Sequence, residues 1–141
     1  MEIVNRKARF NYFIDKEIEA GIALSGTEIK SIRNGSANFN DSYVIIRNGE
    51  AFIINMYIAP YKDGTYFNKD ERRTRKLLLH KEEIKKLENK MKEKGYTLVP
   101  LKLYFKNNKA KILIGLARGK KLYDKRETIK KRDLERENQR Y

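Results

Sequence analysis

The chain has 141 residues and a formal net charge of +14, with a pI near 9.9 and 11% aromatic residues. This length suits one domain with a modest core. The lack of cysteine excludes a disulfide framework and a cysteine-based metal site, and a single histidine, His80, argues against a histidine-built metal centre or a Ser-His-Asp triad. The excess of positive charge indicates a polyanionic partner, with nucleic acid as the first candidate.

Membrane association and secretion find no support in the sequence. No run approaches the roughly 18 consecutive apolar residues of a membrane span. Residues 1–9 lack the apolar core of a signal peptide. We therefore expect a soluble cytoplasmic protein that has no membrane partner.

Residues 9–24 predict the strand on which the rest of the fold depends. Their even-numbered positions are apolar except Lys16, and most odd-numbered positions are polar or small. Because successive strand residues face opposite sides, this alternation predicts one strand with a buried and an exposed face. Its length exceeds the usual range of roughly 3 to 10 residues, so we expect it to curve as in a barrel. The charged break at residues 15–17 predicts a bend or bulge.

A short helix is predicted next. Ser25, followed three residues later by Glu28, indicates a capping box at its start. Gly35 predicts its end, because glycine readily adopts the left-handed conformation that stops helices. Lys30 and Arg33 are expected on or near its exposed side.

A β-hairpin is predicted in the middle of the chain. Residues 42–47 are rich in β-branched residues, and Asn48-Gly49 after them is a strong signal for a two-residue hairpin turn. The return strand is predicted over residues 50–58, closed by Pro60.

A second helix is predicted over residues 81–94. Ile84, Leu87 and Met91 recur at helical spacing, and Gly95 follows. The apolar stripe favours core packing over a partner site.

Two final strands form a second predicted hairpin. The odd positions of residues 99–105 and the even positions of residues 110–116 are apolar and are expected to face inward. Asn107-Asn108 turns the chain between them. Pro100 indicates an edge or a bulge, because proline cannot donate to the sheet.

The last part of the chain predicts a separate basic tail. Residues 118–141 hold ten Lys or Arg and five Asp or Glu, with too few apolar residues to bury a face. We expect residues 120–141 to be disordered when free and helical on a partner. Residues 1–119 predict a mainly β domain, an OB-like closed antiparallel barrel of about six strands with two to three short helices.

The candidate chemistry is binding in preference to catalysis. The sequence has no phosphate-binding loop of the G-x-x-x-x-G-K-[ST] type and no G-x-G-x-x-G motif. Asp15, Glu17 and Glu19 alternate on one strand face, which is compatible with a metal-dependent RNA-processing enzyme, but a solvated face is the better interpretation. We expect no catalytic residues, no metal and no cofactor.

Clustered cations favour RNA binding, because Lys and Arg neutralise phosphates while aromatic and apolar side chains pack on unstacked bases. The basic clusters are Arg6, Lys7 and Arg9; Arg72, Arg73, Arg75 and Lys76; and Lys102, Lys106, Lys109 and Lys111. Tyr12, Tyr104 and Leu78 are the candidates for base packing.

Four ordered blocks resemble one known family, small protein B, the bacterial tmRNA-binding or SsrA-binding proteins. The blocks are residues 5–9 leading into 12–14; residues 19–24 and 26–33; residues 73–79; and residues 114–121 with 123–126. The resemblance covers nearly the whole chain from Asn5 onward.

The resemblance implies an OB-like barrel with three helices that binds the tRNA-like domain of tmRNA. The complex would enter stalled ribosomes with elongation factor Tu, after alanyl-tRNA synthetase has charged the tmRNA. The protein would stand in the decoding site, with its tail in the empty mRNA channel. A structural ribosomal protein or a general RNA-binding protein remains the alternative within binding modules.

The residues matching the family's pattern, taken with the basic clusters, give two predicted sets. The RNA-binding set is Asn5, Arg6, Lys7, Arg9, Tyr12, Glu19, Lys30, Arg33, Arg73, Arg75, Lys76, Leu78 and Lys111. The ribosome-binding set in the tail is Gly119, Lys120, Lys121, Tyr123, Asp124, Lys125 and Arg126. A carboxylate repels phosphate, so we expect Glu19 to accept hydrogen bonds from a base edge.

Overall fold

The structure, a computed structural model, describes residues 2–61 and 70–120. Its strands are β1 Glu2–Val4, β2 Tyr12–Ile22, β3 Ala37–Asn38, β4 Tyr43–Arg47, β5 Glu50–Ile54, β6 Tyr57–Ile58, β7 Arg75–Leu78, β8 Tyr96–Lys106 and β9 Lys109–Gly119. The helices in these residues are α1 Arg6–Asn11, α2 Gly26–Arg33 and α3 Lys81–Met91. The prediction of a mainly β protein with short helices is confirmed.

Six of these strands are hydrogen-bonded into a ring. The order β8-β4-β5-β7-β2-β9 returns to β8, because β8 also pairs with β9, and every pairing is antiparallel. Strand β1 pairs with residues 102–104 of β8, while β3 and β6 form a separate two-stranded sheet. The ring encloses the main core, in which the side chains are Ile18, Ala20, Ile22, Ile53, Leu77, Leu98, Leu103, Ile112, Ile114 and Leu116 with their neighbours.

The long predicted strand begins three residues later than expected, at Tyr12. Residues 6–11 form α1 instead, because Ala8 packs into a second small core with Val99, Leu101 and Ala117. Phe10, which the alternation placed on the buried face, is 80% exposed on this helix. Those two predictions were wrong.

The predicted bulge in β2 is confirmed. Pairing with β9 passes from Ile14 opposite Ala117 to Lys16 opposite Leu116, which leaves Asp15 as the extra residue. Beyond the bulge, Ile18 faces the main core.

A second bulge, in β8, redirects part of the predicted inward face. The register shifts between Pro100 and Lys102, so Leu101 is the extra residue, as Pro100 indicated. Leu103 faces the main core, whereas Val99 and Leu101 pack in the second core beneath α1. The prediction that these three residues share one face was therefore wrong for Val99 and Leu101.

Left-handed residues form both predicted hairpin turns. Asn48 and Gly49 have φ of 52° and 74°, and Asn107 and Asn108 have 52° and 63°. Positive φ at both central residues is the conformation that two-residue hairpins favour. The return strand β5 ends at Ile54, short of the predicted residue 58, and Asn55 follows it with φ of 65°.

Both interior helices occur where predicted. In α2, Ser25 Oγ accepts a hydrogen bond from the Glu28 backbone N–H at 3.3 Å, and Glu28 Oε1 accepts one from the Ser25 N–H at 2.9 Å, which confirms the capping box. Helix α3 ends at Met91, a turn earlier than predicted. Ile84 and Leu87 on its apolar stripe are buried, which confirms core packing.

The tail prediction is mostly outside the described residues. Gly119 ends β9 and Lys120 follows it. Lys121, Tyr123, Asp124, Lys125 and Arg126 all lie outside the described residues.

Candidate nucleic-acid interface

One row of side chains crosses the outer face of four strands. Leu78 of β7 pairs with Gly21 of β2, Gly21 with Lys111 of β9, and Lys111 with Tyr104 of β8. Directly paired residues in antiparallel strands present their side chains on the same face of the sheet. This row therefore places four groups side by side: the apolar side chain of Leu78, the bare backbone of Gly21, the Lys111 ammonium and the Tyr104 phenol.

Gly21 determines how Leu78 lies. A Cβ at residue 21 would stand 3.2 Å from Leu78 Cβ, closer than ordinary van der Waals contact. Because glycine has no side chain, Leu78 lies against the β2 backbone while remaining 54% exposed. The result is an apolar surface beside the Lys111 ammonium.

Glu19 lies two residues before Gly21 on the same exposed face. One carboxylate oxygen, Oε2, accepts a hydrogen bond from the Tyr104 hydroxyl, and Oε1 lies 3.6 Å from Lys106 Nζ. The Tyr104 hydrogen bond, with the charges of Lys106 and Lys111, lowers the pKa of Glu19. Burial of Tyr104, with its bond to Glu19, raises the Tyr104 pKa to about 12. Near neutral pH, Glu19 is therefore an oriented anionic acceptor and Tyr104 a donor.

A cleft of about 600 Å³ lies between this row and the start of α3. Glu19, Gly21, Lys76, Leu78 and Lys111 all line it. Lys76 is an exposed residue of β7, and its Nζ lies 3.2 Å from Glu50 Oε1. The cleft thus combines a hydrogen-bond acceptor, an apolar surface and two cations, as contacts to an unstacked base and its phosphates require.

Arg75 differs from its predicted role. Its side chain is fully buried, and its guanidinium donates to Glu28 Oε2 at 2.6 Å, Met56 O at 2.6 Å and Glu71 O at 3.1 Å. A group without exposed surface cannot contact RNA directly, so the structure gives Arg75 a packing role. Sequence reasoning missed its pairing with Glu28 because the two residues are 47 positions apart.

Arg73 shares the same carboxylate but stays at the surface. Its Nε donates to Glu28 Oε2 at 3.1 Å and one terminal nitrogen donates to Ala23 O at 3.3 Å, while 30% of its side chain is exposed. Arg73 therefore has exposed surface with which to approach a phosphate, in an orientation that Glu28 fixes.

Asn5 and α1 form a second candidate region. Asn5 Nδ2 donates to Pro100 O at 2.8 Å, and its backbone N–H donates to Leu101 O at 2.8 Å, which ties the start of α1 to the β8 bulge. Asn5, Lys7 and Tyr12 line a cleft of about 440 Å³. Arg6, Lys7 and Arg9 are exposed, and the Arg9 guanidinium pairs with Glu17.

The two predicted cations of α2 each face an aromatic ring. Lys30 Nζ lies 5.3 Å from the Tyr61 ring centroid, and Arg33 Cζ lies 4.3 Å from that of Phe105. Both side chains are exposed on the helix, as expected. They lie outside the cleft that Glu19 and Leu78 line.

The three alternating carboxylates of β2 have separate partners. Asp15 pairs with Arg118 at 3.1 Å, Glu17 with Arg9, and Glu19 with Tyr104. In residues 2–61 and 70–120, no three His, Cys, Asp or Glu side chains group in a way that could hold a metal ion. Across the same residues, no helix is long and apolar enough to cross a membrane.

A ring of antiparallel strands with cations, an apolar residue and a carboxylate acceptor gathered on its outer face is typical of proteins that bind RNA through unstacked bases. The family model described as SmpB protein matches residues 2–141. The chain belongs to the SmpB protein family, and the resemblance identified in its sequence is confirmed.

Curated relatives agree with this assignment. The SsrA-binding protein of Acetivibrio thermocellus is 62% identical over 133 residues, which are 94% of this chain and 86% of the relative. The SsrA-binding protein of Geobacter sulfurreducens is 58% identical over 133 residues, 94% of this chain and 87% of the relative.

A solved structure is also similar. It is described as "tmRNA-SmpB: a journey to the center of the bacterial ribosome", and its matching chain has 53% sequence identity and a TM-score of 0.71. The match covers 84% of this chain and 83% of that one.

Proposed function

We propose that this protein binds the tRNA-like domain of tmRNA and delivers it to stalled ribosomes for trans-translation. The observation that carries the proposal is membership of the SmpB family over residues 2–141, with relatives named SsrA-binding proteins. We also class the six-stranded ring as an OB-like barrel, a fold whose outer face commonly binds oligonucleotides.

The cleft beside α3 is the proposed base-recognition site. Glu19 accepts hydrogen bonds from the amino or imino groups of a base edge, the only groups of RNA bases that donate there. Leu78 packs against the same base, and Lys76 and Lys111 neutralise neighbouring phosphates. The Tyr104 hydroxyl holds the Glu19 carboxylate in the orientation that this contact needs.

Helix α1 and its surroundings form the proposed second contact. Arg6, Lys7 and Arg9 are exposed cations, and Asn5 fixes the helix on which they stand. Tyr12, half-buried at the end of α1, supplies an aromatic surface. Arg73, Lys30 and Arg33 add positive charge, while Arg75 acts through its buried partners.

The remaining partners follow from the same proposal. The protein acts without catalysis, and elongation factor Tu and alanyl-tRNA synthetase act on the tmRNA that it carries. It occupies the decoding site, and residues 119–126 and the chain beyond enter the mRNA channel. Because these ribosomes translate in the cytoplasm, the protein acts there.

Identifying the RNA that copurifies with the full chain tests the proposal. Purification from cells of the native host, with and without tmRNA, should enrich tmRNA above ribosomal RNA in the first case. Enrichment of ribosomal RNA alone would instead support a structural ribosomal protein.

Binding to the tRNA-like domain should weaken steeply with salt. Each neutralised phosphate contributes about 0.7 to 0.9 to the slope of log K against log salt, because its condensed counterions are released. With Lys76, Lys111 and the α1 cations engaged, a slope of about −3 to −5 is expected. Binding titrations between low and physiological ionic strength measure this slope. An affinity that does not change with salt would count against phosphate contacts.

Glu19→Gln should weaken binding of the tRNA-like domain by about 5- to 150-fold, the equivalent of about 1 to 3 kcal/mol for a base-edge contact. The amide keeps one oxygen, which can still accept from Tyr104, and replaces the other with an NH2 donor that then faces the donors of the base. Electrophoretic-shift titration measures the loss.

A surface change remote from the cleft controls for charge. Glu88→Gln removes one partly exposed carboxylate of α3 that does not line the cleft and should leave binding nearly unchanged. Tyr104→Phe should weaken binding less than Glu19→Gln, because the carboxylate remains but loses its orienting bond. Binding by Glu19→Gln that equals or exceeds wild-type binding would refute the base-edge contact.

A further inference from the structure

The chain leaves the sheet after β9 along the aromatic ring of Phe13. Phe13 in β2 pairs directly with Arg118 in β9, and Lys120, two residues on, returns to the same side of the chain. The Arg118 guanidinium carbon lies 5.8 Å and Lys120 Nζ lies 5.1 Å from the ring centroid. Both distances are within the range of cation–π attraction.

Lys120 also contacts the end of α1. Its Nζ donates a hydrogen bond of 2.8 Å to the carbonyl oxygen of Arg9. Arg9 is in the last turn of that helix, where carbonyl groups lack a partner within the helix and carry a partial negative charge. Lys120 therefore caps α1 while its ammonium lies over Phe13.

The β2 bulge holds the other cation in place. Asp15, the extra residue of the bulge, accepts from Arg118 through both carboxylate oxygens, with Nε at 3.1 Å and a terminal nitrogen at 3.2 Å. A hydrogen bond from Tyr96, with the charge of Arg118, lowers the pKa of Asp15 and keeps it ionised near neutral pH. Arg118 is thus fixed beside Phe13, and Lys120 is the last described residue of the chain.

We propose that Phe13 and Lys120 are positioning residues that fix the direction in which the chain leaves β9 and hold its exit against α1. This inference rests on the proposed function, because it matters to trans-translation only if the segment after Lys120 enters the mRNA channel. The contact ties the start of that segment to α1. RNA binding by the α1 cations therefore orients the segment, and binding of the segment orients α1.

Spin-label distances test the contact without any ribosome. The chain has no cysteine, so Lys85→Cys with Leu122→Cys introduces the only labelling sites, one on α3 and one past Lys120. In the otherwise unaltered chain we expect one dominant distance between the two labels. Phe13→Leu or Lys120→Gln should each lower the ratio of held to released molecules about two- to fivefold, the strength of an exposed cation–π contact.

Matched variants separate position from charge. Lys120→Arg and Phe13→Tyr keep a cation and a ring and should retain the wild-type distance. Lys92→Gln removes a lysine at the end of α3 and should have no effect. If Phe13→Leu unfolds, Lys120→Gln alone decides the outcome, because Lys120 lies at the surface.

Tagging on stalled ribosomes supplies the functional measurement. Because coupling between the two surfaces is reciprocal, both single variants should bind the tRNA-like domain within about two- to fivefold of the wild type but should tag less. The double variant should lose less tagging than the product of the two single losses. An unchanged distance distribution, or losses that multiply as for independent residues, would overturn the inference. If the wild-type chain fails to bind tmRNA, the proposed function fails, and the distance measurement still judges the contact.

Discussion

Replacing Glu28 with Ala is expected to lower the free energy of unfolding by about 3 to 5 kcal/mol. The change leaves Arg75 as a buried charge without its ionic partner, which costs about this much in proteins. Glu28 is only 4% exposed and Arg75 is fully buried, so water cannot replace the lost partner. Urea titration, followed by circular dichroism, measures the loss as a lower transition midpoint.

Two other substitutions show how much of this loss belongs to the buried pair. Ser25→Ala removes the other half of the capping box, which is worth about 1 kcal/mol. Glu50→Ala removes the exposed ion pair with Lys76, a contact worth about 0 to 1 kcal/mol. A loss for Glu28→Ala no greater than for Glu50→Ala would contradict the importance of the buried pair.

The same carboxylate makes stability depend on pH. Burial alone raises the pKa of Glu28, but hydrogen bonds from Arg73, the Ser25 N–H and Arg75 outweigh it, and the net effect is a pKa below the ordinary 4.5. A lowered folded-state pKa means that the stabilisation is fully present above the ordinary pKa and disappears as pH falls through the folded value. The urea concentration at the unfolding midpoint of the wild type should therefore decrease as the pH is lowered below about 4.5. Glu28→Gln should remove part of that decrease.

Features set by local sequence could be predicted. Asn48-Gly49 and Asn107-Asn108 made turns because their conformational preferences are local. The Ser25 capping box formed for the same reason, since its hydrogen bonds span three residues. Pro100 indicated a bulge because proline disrupts any ladder in which it lies.

Features set by distant packing could not be predicted. Residues 9–11 belong to the stretch whose alternation predicted a strand, yet residues 6–11 form a helix, because Ala8 packs against β8 and β9. Burial of Arg75 depends on Glu28 and Met56, neither of which is near it in sequence. A basic cluster in a sequence therefore does not distinguish an arginine that faces RNA from one that holds the fold.

The candidate site likewise combines features that could be predicted from the sequence with features that could not. Alternation along β2 placed Glu19 on an exposed face, and the family resemblance drew attention to Glu19 and Leu78. The cross-strand row that gathers Leu78, Gly21 and Lys111 depends on the registers of three strands, and no local pattern fixes them. The Tyr104 bond to Glu19 spans 85 positions and was likewise invisible in the sequence.

A chain that ends at Lys120 is expected to bind the tRNA-like domain but to lose tagging on stalled ribosomes. The ring, both clefts and the Lys120 cap on α1 lie within residues 2–120, so removing residues 121–141 leaves every described contact in place. Those residues hold eight Lys or Arg and five Asp or Glu, and so contribute +3 of the +14 charge. Binding should therefore weaken modestly, and the difference should shrink as salt rises, because it is electrostatic.

The loss of tagging should be nearly complete, because an empty mRNA channel is a groove of RNA that the missing segment is proposed to occupy. The tagging is measured in a reconstituted translation system with a message lacking a stop codon, as transfer of alanine from charged tmRNA to the stalled chain.

A full-length protein with residues 121–141 in scrambled order keeps the charge and is the matched control. It should also fail, because the order of Asp124, Lys125 and Arg126 is lost. Full tagging by the shortened chain would refute a role for the segment, and full tagging by the scrambled chain would reduce that role to charge alone.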